Sequence, residues 1–387
     1  MEQRGYDVII VGAGPAGAQC ARYLSENSDY SILLLDKTQE IGQPKKSTAG
    51  TVIETMEKFN LPKKLIMQKI NSVILEGPSQ ETEVSVQGCV LEFGGLKKFL
   101  VREAVHNGVK VEIGATVSKP ILKKGEIVGV GYQDFEGINT AKAKIIIDAT
   151  GPEAVLTTLL GLRKLNPKNH WIGMEFEMEN LNLKHNNSML IKLDNDYAPG
   201  GYSWIFSAGR NYAKVGNCWN NEFFKKKGGK GPQLSYLKKW IKSDERLKNG
   251  IPLEMHAGDA NFDSSIRKKS TSNFMAIGDT ICSINPLFGE GIRPGMYSAI
   301  FAAETAIEAL KKNNTSAKQL SNYDRKWQQN IGKNRKLMHS ISNRLYNFSN
   351  TKYDKLVKNF RKLDNVAINR IIYYKFTLND IRKVFPI

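Results

Sequence analysis

The sequence predicts an α/β fold whose parallel sheet is built from two separated parts of the chain. Val8–Val11 is an apolar run followed at once by the glycine-rich turn Gly12–Gly17. Ile32–Leu35 is a second apolar run, and it ends at Asp36. Far downstream, Ala276–Asp279 again has the pattern of a strand that ends in a Gly-Asp turn. Strand, tight turn and helix in this order indicate a βαβ unit of a doubly wound sheet.

The first turn has the Gly-x-Gly-x-x-Gly spacing that binds a dinucleotide pyrophosphate. Gly12 permits a tight turn, Gly14 lets a pyrophosphate approach the backbone, and Gly17 lets the following helix pack on the strand. The N–H groups at the start of that helix, around Ala16, then face the phosphates. Asp36 lies 24 positions after Gly12, within reach of an adenosine ribose. Its charge would repel a 2′-phosphate, which favours FAD or NAD over NADP.

The downstream segment favours FAD over NAD. Asp279 would accept a hydrogen bond from a ribityl hydroxyl of a flavin. Gly289, Gly291 and Ile292 would line a helix N-terminus whose positive end stabilises the negative charge of a reduced flavin ring. Each segment alone is compatible with an ordinary strand end that binds nothing, but the two together indicate a flavin site.

These motifs, together with Ala198–Ser207, resemble the geranylgeranyl reductase family of flavoproteins, within the p-hydroxybenzoate-hydroxylase-like group. The segment matches the family's PGGYxWxFP stretch except at Ser207, where the family has proline. The resemblance covers residues 5–315 or so. It implies FAD as cofactor, a Rossmann-type FAD-binding domain, and reduction of isolated C=C bonds in geranylgeranyl chains of isoprenoid membrane lipids or their precursors.

The same stretch predicts a substrate wall. Tyr202, Trp204 and Phe206 alternate with period 2, so on a strand they point to one face. Three rings on one face form a rigid apolar surface suited to an elongated hydrocarbon. The resemblance adds Pro199 and Gly200 to the substrate-binding set. Simple core packing is the alternative interpretation of such a stripe, and the resemblance favours the substrate wall.

The loop after the second strand departs from the family pattern, which resembles I-G-x-P-x-x-C-x-x-G. Ser47 stands where the cysteine is expected, and a thiol donates a proton far more readily than a serine hydroxyl. The change therefore affects the chemistry more than the cofactor. Tyr202 and a water near Ser47 are the candidate proton sources, and the resemblance places Ser47, Thr48 and Gly50 against the flavin.

Further residues are assigned by position. Arg102, on a predicted helix, could reach the flavin pyrophosphate, with an ordinary surface charge as the alternative. Val117 belongs to a segment that brings backbone beside the adenine. Arg293 and Glu290 flank the ring-facing loop and could pair or hold a phosphate headgroup.

The predicted organisation has four parts. They are an FAD-binding domain in two pieces, residues 1–151 with a strand excursion at 70–93 and residues 261–312; an inserted, mainly antiparallel substrate domain, residues 152–260; and a basic helical C-terminal region, residues 313–387.

The positive charge is concentrated at the C-terminal end. Residues 311–387 hold 18 Lys and Arg against 4 Asp and Glu, so they carry most of the net charge of +18. Apolar residues recur there at helical spacing. A solvated helical cap and docking on an anionic lipid surface both fit this pattern. Nucleic-acid binding is not expected, because no recognisable module is present.

Other classes of protein are disfavoured. The sequence has no run of 18 apolar residues that would predict a membrane span, and the first strand begins too early for a signal peptide. We therefore expect a cytoplasmic protein, and docking on the inner face of the cell membrane stays open as one of the two interpretations of the basic C-terminal region. The 4 cysteines and 5 histidines lack metal or disulfide spacing, so no metal is expected.

No second complete dinucleotide fingerprint appears, and the electron donor is therefore external, a ferredoxin or NAD(P)H.

Two other functions use the same scaffold. A flavin monooxygenase would react with oxygen, although the paired-tryptophan motif of halogenases is absent. A non-catalytic or redox-partner flavoprotein is compatible with Ser47 in place of the thiol.

Overall fold

The computed structural model describes residues 5–164, 166–263, 266, 268–373 and 375–385, so the extreme ends of the predicted first and last regions lie outside the described residues. The chain divides into two compact units. Unit 1 comprises Met1–Lys45, Phe93–Pro167 and Ala260–Lys336. Unit 2 comprises Lys46–Glu92, Lys168–Asp259 and Leu337–Ile387.

The strands, in chain order, are β1 (Gly5–Val11), β2 (Ile32–Leu35), β3 (Gly50–Val52), β4 (Ile66–Glu76), β5 (Glu81–Leu91), β6 (Lys110–Glu112), β7 (Thr116–Lys123), β8 (Glu126–Asp134), β9 (Gly137–Asp148), β10 (His170–Glu179), β11 (Ser188–Lys192), β12 (Gly201–Gly209), β13 (Tyr212–Asn220), β14 (Ile251–Asn261), β15 (Ser270–Thr271) and β16 (Phe274–Ala276). The α-helices, in chain order, are α1 (Pro15–Asn27), α2 (Glu54–Lys58), α3 (Phe93–His106), α4 (Val155–Leu159), α5 (Asn221–Lys226), α6 (Gln233–Ser243), α7 (Ile292–Lys311), α8 (Ala317–Asn330), α9 (Arg335–Leu345), α10 (Asn350–Phe360), α11 (Asn365–Ile372) and α12 (Leu378–Val384).

The sheet of unit 1 has the order β15-β16-β9-β1-β2-β6. Its central strands are parallel: β1 pairs with β2 and β9, β9 with β16, and β2 with β6. β7 and β8 extend β9 as an antiparallel meander. All four residues of β2 are buried, as expected for a parallel sheet covered by helices on both faces. α1 packs against α3 and α7. The predicted α/β fold with a discontinuous parallel sheet is confirmed.

The register of unit 1 brings four strand ends together. Val11 lies beside both Leu35 and Asp148, and Asp148 lies beside Ala276. Because parallel strands end at the same edge, the turns that follow them meet there. Ligands of open α/β sheets bind at this edge.

The sheet of unit 2 has the order β14-β10-β13-β12-β11-β4-β5-β3. The β10–β13, β12–β13 and β11–β12 pairs are antiparallel, whereas β11 and β4 are parallel. One face is a closed apolar core, in which Leu237 and Trp240 of α6 pack with Met178, Ile205 and Val215. The opposite face carries the residues of β12 that alternate with Ile205.

The two units do not follow the predicted boundaries. Residues 46–92, which were predicted to belong to the FAD-binding domain with a strand excursion at 70–93, belong to unit 2, because β4 pairs with β11 through Val73 and Met189. Residues 152–167 belong to unit 1 instead of the substrate domain. The strands themselves were recognisable by their alternation, but a pairing across more than one hundred positions leaves no local trace in the sequence.

The predicted C-terminal region is also divided. α8 belongs to unit 1, where the Tyr323 hydroxyl donates to the carbonyl of Ala276 at 2.7 Å. Residues 337–387 belong to unit 2, where Thr82 donates to the carbonyl of Val357 at 2.7 Å. Aromatic residues of the region are buried in these contacts, among them Trp327, Tyr346, Phe348 and Tyr353. In the described part of the chain no helix has an apolar stretch that could cross a membrane.

Candidate active site

The glycine-rich turn after β1 is built by close backbone packing. Gly12 has φ +106°, and a Cβ there would lie 2.4 Å from the carbonyl oxygen of Ala149. A Cβ on Gly17 would lie 1.8 Å from the carbonyl oxygen of Gly12. Both positions therefore admit no side chain, and together they hold α1 against the end of β1.

Gly14 is different, because the protein itself does not require a glycine there. Apart from its chain neighbours, no described atom lies within 4 Å of its Cβ position, and its φ of −64° suits any residue. Within the described residues no side chain caps the start of α1, so the first N–H groups of the helix face this open space. A pyrophosphate needs these two features, an open backbone approach and unpaired N–H donors. The turn therefore fits the diphosphate of FAD.

Asp36 follows β2 at the same edge of the sheet. Its Oδ2 accepts a hydrogen bond from the Ala13 N–H at 2.5 Å, and its Oδ1 accepts from the Thr38 N–H at 2.8 Å. The Ala115 N–H donates to the Asp36 carbonyl at 2.9 Å, which brings the segment before Val117 beside the carboxylate. The half-buried Asp36 is thus fixed between the first turn and the predicted adenine-side segment.

The downstream motif forms a 3-10 turn that precedes α7. Asp279 Oδ1 accepts from the Ser283 hydroxyl at 3.0 Å and lies 3.8 Å from the Cβ position of Gly291. Arg163 braces the turn by donating to the carbonyls of Asp279 at 3.2 Å and Thr280 at 2.7 Å. Gly291 is the N-cap of α7, and in the described structure no side chain caps that helix start.

The remaining predicted residues of unit 1 fall into three situations. Glu290 and Arg293 were predicted either to pair with each other or to hold a phosphate headgroup. In the structure they pair, through two hydrogen bonds of 2.8 Å each. Gly289 has φ +68° in the turn before α7, and Ile292 is buried at the first position of that helix. Arg102 is exposed on α3, and Val117 is buried in β7.

The loop predicted to lie against the flavin belongs to unit 2. Ser47 Oγ accepts from the Ala49 N–H at 3.1 Å and so shapes the turn. Thr48 points to the sheet and donates to Glu175 Oε2 at 2.5 Å. Gly50 is packed so closely on the wall that a Cβ there would lie 2.6 Å from the ring of Phe206.

The predicted aromatic wall lies on one face of the unit 2 sheet, opposite the α6 core. Tyr202, Trp204 and Phe206 pair with Cys218, Gly216 and Lys214 of β13. Trp204 lies over Gly216, where a Cβ would approach its ring to 2.3 Å.

Pro199 and Gly200 do not line this face. They are buried in the turn before β12, where a Cβ on Gly200 would lie 2.5 Å from Phe223. They shape the start of the strand.

Tyr202 is enclosed by other rings. Its centroid lies 6.1 Å from that of Tyr346 in a stacked arrangement and 5.8 Å from that of Trp204. Burial, with the neighbouring Cys218 and Tyr346, raises the pKa of Tyr202 well above its ordinary value. Burial also raises the pKa of Cys218 to about 12. Tyr202 therefore holds its proton tightly.

Sequence reasoning missed a buried polar row on the same face. Glu175 and Glu177 of β10 are each 4% exposed, and Lys214 of β13 is 1% exposed. The alternation Glu175-Phe176-Glu177 resembles an ordinary half-exposed strand, so it gave no indication of burial. One further group lies beside this row. Each of its members, Glu177, Glu254 and His256, has a side-chain atom that can bind a metal ion, and these three atoms lie within 4.8 Å of one another. Lys214 lies 3.7 Å from Glu177 and supplies positive charge to that group.

Comparison with known proteins supports the assignment of both units. Residues 7–164 match the family model of FAD dependent oxidoreductases, and residues 170–259 match that of the geranylgeranyl reductase catalytic domain. The chain is similar to a digeranylgeranylglycerophospholipid reductase of Haloferax volcanii, with 41% identity over 94% of this chain and 91% of the relative. A protein of the same name from Methanocaldococcus jannaschii is 33% identical over 84% of this chain and 82% of the relative.

A solved structure shares the fold. A geranylgeranyl bacteriochlorophyll reductase-like protein of Thermoplasma acidophilum superposes with a TM-score of 0.88 at 22% identity, covering 99% of this chain and 96% of the other. The resemblance noted from the motifs is thus confirmed, and the protein is an FAD-dependent oxidoreductase. The chain belongs to the geranylgeranyl reductase family, among its digeranylgeranylglycerophospholipid reductases.

Proposed function

We propose that this chain reduces the isolated C=C bonds of geranylgeranyl chains in isoprenoid membrane lipids or their precursors. The observation that carries the proposal is the wall of Tyr202, Trp204 and Phe206, which shares one sheet face with the Ser47–Gly50 loop. An apolar wall of this length suits a prenyl chain, which offers no polar group for recognition. The 41% identical relative supports the same substrate class.

The residues of unit 1 would hold FAD. Gly14 and the start of α1 would receive the pyrophosphate, Asp36 the adenosine ribose, and Asp279 the ribityl chain. The uncapped start of α7 at Gly291 would direct its positive end at the ring. FAD, when bound and reduced, supplies the hydride.

The residues of unit 2 would hold the lipid chain. The aromatic wall excludes water from the alkene, and a dry site is needed because an unpolarised alkene accepts hydride poorly without a well-placed proton. Ser47 shapes the turn through Ala49, while Thr48 is tied to Glu175.

We infer that the electrons come from an external reductant, a ferredoxin or NAD(P)H, which reduces the bound flavin before each turnover. The sequence has one complete dinucleotide fingerprint, and it is assigned to FAD. Reduction of the purified protein under anaerobic conditions with NADH, NADPH or reduced ferredoxin, followed by loss of flavin absorbance, identifies the donor.

We infer that unit 2 meets an anionic membrane surface through α10. Its inner residues Tyr353, Leu356 and Val357 are buried, while basic side chains on and after it are exposed: Lys352, Lys355, Lys358 and Lys362. Lysines near an anionic bilayer contribute about 1 kcal/mol each. Co-sedimentation with anionic vesicles should be lost on changing Lys352 and Lys355 to Glu, and neutral vesicles should not bind either protein.

The reductase assignment is tested with the lipid itself. The holoprotein is reduced with dithionite without oxygen, digeranylgeranylglyceryl phospholipid is added, and the lipid is analysed by mass spectrometry. The expected result is a gain of one H2 for each double bond that is saturated. Unchanged lipid in the presence of bound, reduced flavin would overturn the assignment.

A further inference from the structure

Glu175 is held on one side only. Its Oε2 accepts two hydrogen bonds, from the Thr48 hydroxyl at 2.5 Å and from the Trp204 indole N–H at 3.2 Å. Its Oε1 is buried and has no hydrogen-bond partner among the described residues. An ionised carboxylate needs partners for both oxygens, whereas the neutral acid loses less by leaving Oε1 unpaired and can carry its proton on Oε2, in the 2.5 Å contact with Thr48 Oγ1.

The surroundings favour the neutral acid. Burial raises the pKa of Glu175, and the opposing influences of Lys214, Thr48, Trp204 and His256 do not reverse that direction. Lys214 also lies 3.7 Å from Glu177, so its positive charge stabilises that carboxylate as well as acting on Glu175. Glu175 therefore keeps its proton at a pH where an ordinary glutamate has lost it.

A row of exchangeable groups joins Glu175 to the edge of the sheet. Lys214 lies 3.7 Å from Glu177 and acts electrostatically on Glu175, and His256 Nε2 lies 3.2 Å from Glu177 Oε1. His256 Nε2 also lies 3.3 Å from Glu254 Oε2 on the edge strand β14, and the Glu254 side chain is 49% exposed. Tyr212 donates to Glu177 from β13. The row thus begins at the half-exposed Glu254 on β14 and ends at Glu175, which contacts Thr48.

We propose that Glu175 is the proton reserve of the reaction, that it delivers its proton through the Thr48 hydroxyl, and that the row ending at Glu254 recharges it. This inference rests on the proposed function. Glu175 acts through Thr48 and is a positioning residue for the proton, since it does not itself touch the lipid.

The atoms and electrons balance in one step. In the neutral acid Glu175 Oε2 donates its proton to Thr48 Oγ1, which leaves the Thr48 hydroxyl hydrogen free to face the alkene. The π pair of the C=C bond would take this hydrogen as a proton at one carbon while the other carbon receives the hydride that bound, reduced FAD would supply. The Thr48 oxygen takes the Glu175 proton in exchange. Glu175 is left as a carboxylate that accepts from Trp204 and lies near Lys214, and one proton from solvent then restores it.

The competing groups on this face are less suited. Tyr202 is enclosed by Tyr346 and Trp204, and its raised pKa opposes proton release. Ser47 Oγ is engaged by the Ala49 N–H in forming the turn. A metal cation bound at Glu177 and His256 would be repelled by the positive charge of Lys214, which lies 3.7 Å from Glu177.

The first test is spectroscopic and does not depend on turnover. Infrared spectra of the protein should show a protonated-carboxyl C=O band at neutral pH that disappears in Glu175→Gln. Glu76→Gln is the matched control, because the pKa of Glu76, a carboxyl group in the same unit, is lowered and it contributes no such band. If the wild-type band is absent at neutral pH, or survives in Glu175→Gln, the proposal is wrong.

The second test uses lipid saturation by the dithionite-reduced holoprotein. Glu175→Gln keeps an oxygen that accepts from Thr48 and Trp204 but has no acidic proton, so saturation should slow by about 100-fold or more. Thr48→Val should slow it similarly, and Thr48→Ser should restore most of the loss. Wild-type activity should fall as the pH rises through the pKa of Glu175, and Glu175→Gln should lack this limb.

The outcomes are distinguishable. A wild-type protein that binds flavin but saturates no lipid overturns the reductase assignment and the proton reserve together. A wild-type protein that saturates lipid at the same rate and with the same pH profile as Glu175→Gln overturns the proton reserve alone. Flavin absorbance measured in each variant shows that the cofactor is still bound.

Discussion

The Cβ position of Gly17 lies 1.8 Å from the carbonyl oxygen of Gly12, whereas the Cβ position of Gly14, three residues earlier, is open. Gly17→Ala should therefore force α1 off β1 and destabilise the protein by about 3 kcal/mol. Gly14→Ala should cost the apoprotein no more than about 1 kcal/mol, from the less favourable N-cap. Denaturant unfolding of the flavin-free proteins measures both.

The same pair separates folding from cofactor binding. Because the space at Gly14 is assigned to the pyrophosphate, Gly14→Ala should weaken FAD binding despite its nearly unchanged stability. Titration of the apoprotein with FAD, followed by flavin fluorescence, gives the affinity. Wild-type affinity in Gly14→Ala would contradict the placement of the pyrophosphate at this turn.

Asp36 is held in place by the Ala13 and Thr38 N–H groups and is assigned to the adenosine ribose. Asp36→Asn keeps the shape but loses the charge, and hydrogen bonds to charged groups contribute about 1.5–3 kcal/mol. FAD affinity should fall by about tenfold to a hundredfold. Glu40→Gln, at an exposed carboxylate that pairs with Lys98, is the control and should bind FAD normally. Equal affinities would remove Asp36 from the site.

Gly216 supports the position of Trp204 in the aromatic wall. A Cβ at Gly216 would lie 2.3 Å from the indole ring, with the Met174 carbonyl oxygen at 2.6 Å behind it. Gly216→Ala should displace the indole and slow lipid saturation by about tenfold or more, since misplacement of about 1 Å has large effects on rate. FAD affinity should be unchanged, because Gly216 is not among the residues assigned to the cofactor. If Gly216→Ala folds fully but loses its flavin, Gly216 affects cofactor binding as well as the position of Trp204, and the prediction is wrong.

Glu76 gives unit 2 a pH-dependent stability. Burial alone would raise its pKa, but Arg246 at 2.7 Å and Lys192 at 2.5 Å lower it below its ordinary value of 4.5. A lowered carboxyl pKa contributes stability above the unfolded-state value and loses it as the pH falls through the folded-state pKa. Glu76→Gln should therefore be less stable than wild type by about 2 kcal/mol at neutral pH.

The check is denaturant unfolding followed by tryptophan fluorescence at neutral pH and at progressively lower pH. The difference between wild type and Glu76→Gln should shrink as the pH falls below the ordinary value of 4.5. A difference that stays constant with pH would show that the loss comes from packing instead of the ion pairs.

Local signals in the sequence were sufficient for the parts of the fold that local chemistry determines. The Gly12–Gly17 turn, the Gly-Asp motif at Asp279 and the alternation of Tyr202, Trp204 and Phe206 each constrain a few neighbouring positions, and the structure forms the corresponding turns and strand face. The pairing of β4 with β11 was not predictable in this way, because alternation identifies a strand but not its neighbour.

The burial of the polar row around Glu175 was not predicted from the sequence, for a related reason. Glu175 and Glu177 alternate with apolar residues, which is the pattern of a strand with one face in water. Only the tertiary structure shows that their face is covered and that Lys214 and His256 lie beside them. The sequence therefore directed attention to Tyr202 and Ser47 as proton sources, and the structure directs it to Glu175.

If reduced flavin in this protein passes its electrons to an isolated alkene, oxidation of the flavin and saturation of the lipid occur together in one turnover. The most direct measurement is a single turnover in an anaerobic stopped-flow instrument, with reduced holoprotein mixed with digeranylgeranylglyceryl phospholipid. Flavin absorbance should return, and each reoxidised flavin should correspond to one saturated double bond in the recovered lipid. If the flavin stays reduced with the lipid and is reoxidised only when oxygen is admitted, the flavin does not pass its electrons to the alkene.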